Sequence, residues 1–142
     1  MVAWQYRWNE ETRGRWTARL IRRLDTWLNR EQGEVNYYLT QMLTGHGQFR
    51  SYLHKMGKVA DPGCVHCGDL RDDPLHTFFQ CKAWEEDRSQ LEAGLGDIAP
   101  DNIVSCMLRG RDEWSRVASF VETILRRKKA VEEEMNLLTS AD

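Results

Sequence analysis

Apolar side chains recur along this chain at spacings of three and four residues, and this period predicts amphipathic helices. The first such stretch, from Glu10 to Asn29, predicts one long helix. Its apolar face is formed by Trp16, Leu20, Leu24, Trp27 and Leu28. Shorter stripes predict further helices over residues 35–45, 49–57, 84–95 and 103–108, and glycines close the first three of these.

The last helix is predicted from Asp112 to Leu138, with apolar positions that alternate between spacings of three and four. The seam consists of Trp114, Val117, Val121, Ile124, Val131, Met135 and Leu138, with Lys128 as its one charged member. Such a heptad seam has two interpretations, a coiled coil that makes a homodimer or a long helix packed across its own domain. We favour self-packing and keep the homodimer through Trp114 to Leu138 as the alternative.

The stretch from Cys64 to Cys81 follows an Asp61-Pro62-Gly63 turn and has neither strand alternation nor a sustained helical period. A ligand rather than an apolar core must therefore organise it. Its pattern is C-x2-C-x8-H-x4-C, and zinc prefers four such ligands in a tetrahedron. We predict one structural zinc ion, bound by Cys64, Cys67, His76 and Cys81.

Other interpretations of this segment carry less weight. A disulfide would recruit Cys106, which lies in an apolar helical stretch and is typical of a small buried side chain. His66 would strain the cysteine turn if it were a ligand, so we expect it to be exposed to solvent. Asp72-Asp73 could suggest a metal-binding pair for phosphoryl transfer, but no apolar strand precedes it, and we interpret both as turn residues. Four protein ligands indicate a closed site, whereas a catalytic zinc keeps one position open for water.

Composition agrees with a globular protein, since 41% of residues are hydrophobic and 30% are charged. We expect a mainly α domain of about five to six helices with an inserted CCHC zinc knuckle. Residues 1–60 form its basic helical part, 61–83 the knuckle and 84–142 the C-terminal helical part. No apolar run approaches the roughly 20 residues of a membrane span, and no secretory signal is present, so we expect an intracellular protein without membrane contact.

Charge is distributed unevenly along the chain. Residues 1–60 hold ten Lys/Arg and five Asp/Glu, whereas residues 61–142 hold ten and seventeen. Four arginines of the first predicted helix fall on one stripe beside its apolar face, and we predict that they contact phosphates of RNA or DNA. The row consists of Arg15, Arg19, Arg22 and Arg23, and it is extended by Arg50, Lys55 and Lys58.

Alternatives accompany this interpretation. The row is also typical of a solvated helix face balanced by Glu10, Glu11 or neighbouring carboxylates. Tyr37 or Phe78 would stack on unpaired bases if exposed, but we expect both rings in the core. No nucleophile elbow, phosphate loop or second carboxylate cluster supplies catalytic roles, so we expect this chain alone not to be an enzyme.

Several motifs have a distinctive order and spacing. They are Glu11-Thr12, Trp16, Leu20-Ile21, Trp27, Gly33-Glu34-Val35, Leu39-Thr40-Gln41, Leu43-Thr44-Gly45-His46-Gly47, Phe49, Tyr52-Leu53, Gly57, Cys64, Cys67, His76-Thr77, Phe79, Cys81, Trp84 and Arg88. Together they resemble the region C-terminal to the reverse transcriptase in Pol polyproteins of insect-type non-LTR (LINE-like) retrotransposons, from about Glu11 to Trp114.

This resemblance implies a parent that is an RNA-directed DNA polymerase joined to an endonuclease, with a C-terminal region that helps to hold nucleic acid. It implies element RNA or target DNA and the rest of a Pol polyprotein as partners, and a nuclear location. The chain carries no polymerase palm, endonuclease or ribonuclease H, so we expect a tail: a remnant, a fragment or a domain retained by a host. Our leading hypothesis is a non-catalytic zinc-binding tail that binds RNA or DNA phosphates, and the alternative is a zinc-stabilised protein interaction module.

Overall fold

A computed structural model describes residues 2–10 and 14–140, so the motif residues Glu11 and Thr12 lie outside it. The described part is helical and has no strand, which confirms the mainly α prediction. Its helices are α1 Val2–Glu10, α2 Arg15–Leu20, α3 Leu24–Leu28, α4 Tyr37–Thr44, α5 Arg50–Lys55, α6 Pro74–Phe79, α7 Glu85–Leu95, α8 Ile103–Met107 and α9 Arg111–Ser140. A 3₁₀ turn, Lys82–Trp84, leads into α7. None of the described helices is both long and apolar enough to cross a membrane.

The core is built against α9, the longest element. Helices α4, α7 and α8 pack along it, and its seam residues from Trp114 to Lys128 are buried. Beyond Lys128 the seam residues Val131, Met135 and Leu138 are 39%, 41% and 67% exposed. Self-packing is therefore confirmed for the first part of the seam, and a short apolar stripe continues past the core.

The prediction of one long helix from Glu10 to Asn29 is wrong, because the chain bends twice in this region. Gly14 precedes α2 in a left-handed conformation with φ +65°. Ile21 ends α2 with φ −107° and ψ 84°, outside the helical region, and its carbonyl accepts a hydrogen bond from Trp8 Nε1 at 2.5 Å. Tertiary contacts thus override the local apolar period and divide the stretch into α2 and α3.

The helix pair around Gly45 is confirmed. The Asn36 side chain accepts from the Leu39 backbone N–H at 2.8 Å and caps the start of α4. Gly45 ends α4 with φ +75°, the left-handed conformation that glycine adopts without steric cost. Helix α5 then carries the chain to the central segment.

The central segment contains a helix that the periodicity did not predict. Helix α6 has six residues, too few to display a period. Its start is nevertheless encoded locally, since the Asp73 side chain accepts from the His76 N–H at 2.8 Å and Pro74 occupies the first turn. The insertion is therefore a turn followed by a short helix.

Candidate metal centre and basic groove

The four predicted ligands meet at one point. Cys64, Cys67, His76 and Cys81 bring one ligand atom each within 4.8 Å of one another, so this group can hold a metal ion. The Cys64 and Cys81 sulfurs are 3.9 Å apart, and His76 Nε2 lies 3.2 Å from the Cys67 sulfur. Tetrahedral zinc has bonds of about 2.3 Å to sulfur and about 2.0 Å to nitrogen, so it requires about 3.8 Å between two sulfurs and about 3.5 Å between a sulfur and a nitrogen. Cys106 is buried in α8 outside this group, as expected.

Backbone hydrogen bonds shape the turn that carries the first two ligands. The Cys64 N–H donates to the Asp69 carbonyl at 2.8 Å, and the Gly68 N–H donates to the Cys64 carbonyl at 3.0 Å. Gly68 has φ +86°, which favours glycine at this position. Asp61 Oδ1 accepts from the Gly63 N–H at 2.6 Å and orders the residues before Cys64. The turn is therefore determined by its own sequence.

Helix α6 and the residues after it position the second pair of ligands. His76 lies within α6, and the Cys81 N–H donates to the His76 carbonyl at 2.7 Å. Arg88 of α7 donates to the carbonyls of Phe78 and Cys81 at 3.1 and 2.8 Å. The end of α6 is thus held by both its own backbone and the following helix.

Burial governs the protonation of the cysteines. Burial raises the pKa of Cys81 to about 12, with a further contribution from neighbouring Cys64, and burial also raises the pKa of Cys64. A metal ion must therefore displace thiol protons when it binds. The second ring nitrogen of His76, Nδ1, is buried without a hydrogen-bond partner among the described residues, and Asp69 Oδ2 lies 3.7 Å from it.

The expectation that His66 is exposed is wrong. Its side chain is 4% exposed, and its Nε2 lies 3.0 Å from Glu132 Oε2 in α9. Its ring packs against Trp84 at a centroid distance of 5.2 Å. Glu132 Oε1 also accepts from Gln48 Nε2 at 3.3 Å. His66 therefore joins the cysteine turn to α9 and lies outside the group of candidate ligands.

The interpretation of Asp72 as a simple turn residue is also wrong, although Asp73 does cap α6. Asp72 and Lys128 are both fully buried, and Lys128 Nζ donates to Asp72 Oδ1 at 2.6 Å and to Thr77 Oγ1 at 3.1 Å. The Thr77 hydroxyl donates to Asp72 Oδ1, and the Arg50 N–H donates to Asp72 Oδ2, each at 3.0 Å. This network connects the segment that carries the candidate metal ligands to α5 and α9.

The predicted arginine row lines one open groove, even though the helix predicted to carry it is broken. Arg15 and Arg19 lie in α2, and Arg22 and Arg23 lie in the break before α3. All four are exposed and line a cavity of about 770 Å³ between α1, α2 and the segment around Asp101. We call this cavity the arginine groove.

Carboxylates offset part of the charge in this groove. Arg19 Nε lies 3.1 Å from Asp101, and Arg23 Nη2 lies 2.9 Å from Asp25. Arg15 donates to the backbone carbonyls of Trp8 and Asn9, at 2.6 and 3.3 Å. Exposed ion pairs contribute little to stability, so phosphate can replace these carboxylates at little cost.

The other predicted basic residues are placed differently. Lys55 lines a second cavity together with Arg15, and this cavity therefore adjoins the arginine groove. Lys58 lines a third cavity, near Arg126 of α9. Arg50 is half-buried, and its Nε is buried without a hydrogen-bond partner. The structure thus brings Lys55 toward the arginine row, places Lys58 farther along the surface and turns Arg50 inward.

The two rings considered for base stacking have opposite placements. Phe78 is fully buried, which confirms core packing, and it lies edge-on to Phe49 at 5.9 Å. Tyr37 is 69% exposed, so core packing is wrong for this residue. It contacts Tyr38 edge-on at 5.2 Å.

Comparison with known proteins finds relatives for this chain. It is 27% identical over 94% of its length to a retrovirus-related Pol polyprotein from type-1 retrotransposable element R1 2 of Nasonia vitripennis, of which it spans 33%. It is 26% identical over 91% of its length to a putative 115 kDa protein in type-1 retrotransposable element R1DM of Drosophila melanogaster, of which it spans 13%. It is 33% identical over 65% of its length to an R1 Pol polyprotein of Bradysia coprophila, of which it spans 9%.

These similarities confirm the resemblance to Pol polyproteins of non-LTR retrotransposons. The chain spans about a third or less of the length of these relatives. No protein-family model matches it, and no solved structure matches it.

Proposed function

Because this chain is a relative of the Pol polyproteins of R1 retrotransposable elements, we propose that it is a zinc-stabilised, non-catalytic part of such a protein that binds RNA or DNA. The observation that carries the proposal is the arginine groove, where four exposed arginines of one row line a single cavity. Its partners are element RNA or target DNA and the rest of the polyprotein, and its place of action is the nucleus.

The donor set supports zinc as the bound ion. Three thiolates and one imidazole are soft and borderline ligands, which zinc binds in closed tetrahedral sites. With four protein ligands no position remains for an activated water, so the ion contributes to folding rather than to chemistry. Its place is to hold the turn at Cys64 and Cys67 against α6, and thereby to fix the segment that packs on α9.

The chemistry of arginine supports phosphate as the ligand of the groove. A guanidinium can donate two parallel hydrogen bonds to one phosphate, and it stays charged at every physiological pH. Each neutralised phosphate releases counterions, so affinity depends steeply on salt. Backbone contacts of this kind give affinity without sequence preference.

The test is binding of the zinc-loaded protein to single-stranded RNA, single-stranded DNA and duplex DNA across a salt series. The variant Arg19→Ala, Arg22→Ala, Arg23→Ala removes three positive charges from the groove. We expect it to lower affinity and to reduce the log–log salt slope by about 2 on single strands, because each lost contact contributes about 0.7.

The matched control is Lys82→Ala, Arg111→Ala, Arg127→Ala, which removes the same charge from residues that do not line the groove. It should retain nearly all of the binding and the original slope. Equal losses in both variants would indicate a net-charge effect and refute the groove, and absence of binding at low salt would refute the proposed function.

The exposed end of the α9 seam favours the second candidate, a zinc-stabilised interaction module. Val131, Met135 and Leu138 form an apolar stripe beyond the core. A homodimer through this stripe would show a mass that rises with concentration in sedimentation equilibrium. Met135→Glu would abolish that rise, because it places a charge in the contact. A monomer at all concentrations excludes the homodimer.

A further inference from the structure

A stacked pair of rings lies beside the arginine groove. The His46 and Tyr52 rings have centroids 4.7 Å apart and planes at 18°. Tyr52 belongs to α5 and is half-buried, while His46 lies in the turn between α4 and α5 and is exposed. The His46 ring is thus supported by Tyr52 and accessible from solvent.

The turn that presents His46 is fixed by its surroundings. Gly45 has φ +75°, and a Cβ there would lie 3.4 Å from Pro74 Cγ. Gly47 has φ +147°, and a Cβ there would overlap the buried side chain of Gln41. Gln41 Oε1 accepts from the Gln48 N–H at 2.8 Å and holds the far side of the turn. An exposed ring on such a turn is already ordered, so a ligand meets little entropic cost there.

The ring pair lines the same cavity as three basic residues, Arg15, Lys55 and Arg71. We call this cavity the ring pocket. Asp73 is the acidic residue in its lining and pairs with Arg71 at 2.9 Å. Among the described residues that line it, basic side chains thus outnumber the carboxylate. Arg15 also lines the arginine groove, so the two cavities adjoin through its side chain.

We infer that the ring pocket takes one unpaired base of a single-stranded polynucleotide, stacked on the His46 ring, while the adjoining arginine groove holds the backbone. This inference rests on the proposed function and specifies the class of nucleic acid. Aromatic rings within a basic groove bind single strands, because each unpaired base offers a flat face for stacking. In a duplex those faces are covered by neighbouring bases, so a duplex gains only the phosphate contacts.

The test measures affinity of the zinc-loaded protein for a single-stranded RNA, the same sequence as single-stranded DNA, a DNA duplex and a single strand without bases. The variants are His46→Ala and His46→Phe, with His54→Ala as a control because His54 is also exposed but lies outside the ring pocket. Equal thermal unfolding of all four proteins establishes that the fold is intact.

We expect His46→Ala to weaken binding to base-containing single strands about 5- to 150-fold, the range of one stacked base, and to leave the duplex and the abasic strand within about two-fold. His46→Phe should restore binding, since it keeps the ring face and removes the imidazole nitrogens. A loss on RNA, on DNA or on both supports the inference and identifies the sugar that the groove accepts.

Equal binding of wild type and His46→Ala to every single strand would overturn the inference, and so would an equal loss on the abasic strand. In either case a steep salt slope that the triple arginine variant reduces would leave the proposed function standing. No binding to any nucleic acid at low salt would refute both.

Discussion

The sharpest prediction concerns Lys128, the charged residue in the apolar seam of α9. In Lys128→Met the Asp72 carboxylate keeps the Arg50 N–H and the Thr77 hydroxyl as donors but loses the ammonium group 2.6 Å away. Both charges are fully buried, so no water replaces the lost partner. Removing one member of a buried pair costs about 3–5 kcal/mol, against a total stability of about 5–15 kcal/mol for a domain. We therefore expect Lys128→Met to lower the free energy of unfolding by about 3–5 kcal/mol.

The assay is urea unfolding in excess zinc, followed by tryptophan fluorescence and circular dichroism. The double variant Lys128→Met, Asp72→Asn should be more stable than Lys128→Met alone, because the amide removes the buried charge and still accepts a hydrogen bond. Lys129→Met is the matched control, because Lys129 is exposed and its partner Glu133 lies 4.0 Å away, the limit of an ion pair. This variant should change the free energy of unfolding by less than about 0.5 kcal/mol. If Lys128→Met were as mild as this control, the buried network would not be a determinant of stability.

Three further predictions follow from the metal centre and its connections. Cys67→Ser or His76→Ala should abolish stoichiometric zinc and expose the central segment to hydrogen exchange, and a metal-free wild type of equal stability would contradict this. Zinc affinity, measured against a chelator, should rise by up to about three log units per pH unit near neutrality, because three thiols must lose their protons. Burial raises the pKa of Cys64, and it raises the pKa of Cys81 to about 12. A pH-independent affinity would exclude thiolate ligation. Glu132→Ala, which leaves His66 and Gln48 without their acceptor, should cost about 1–3 kcal/mol in urea unfolding, whereas the exposed neighbour in Glu133→Ala should cost less than about 0.5 kcal/mol.

Spacing alone was sufficient to predict the four candidate metal ligands, because they lie close together in the sequence. A two-residue gap between cysteines depends only on neighbouring residues, whereas α6, which carries His76, was not predicted because six residues are too few to display a period. Helix α4 also depends on neighbouring residues, since its cap residues Asn36 and Gly45 adjoin it in sequence. Features that depend on neighbouring residues and leave a clear pattern, such as a ligand spacing or a helix that ends at glycine, can therefore be predicted without tertiary information.

Features that depend on distant partners were not readable. The break at Ile21 coincides with a hydrogen bond that Trp8 Nε1, 13 residues away in the chain, donates to the Ile21 carbonyl. Lys128 fits the helical period of an apolar seam, and only its meeting with Asp72, 56 residues away, explains a charge at that position. His66 lies in a turn where an exposed side chain is expected, yet its ring is buried and contacts Glu132. An exposed Tyr37 and a supported His46 likewise depend on how α4 and α5 pack.

Lys128 and Glu132 are one helical turn apart on α9, and each contacts a different residue of the segment that carries the candidate metal ligands. The segment therefore is not a portable module. Grafted onto another helix, or made as an isolated peptide, it would present Asp72 and His66 to water and lose the surface that orients it. Its four candidate ligands would remain, but the geometry of its outer face depends on α9, so transfer of this segment to another protein requires transfer of the α9 turn that carries Lys128 and Glu132.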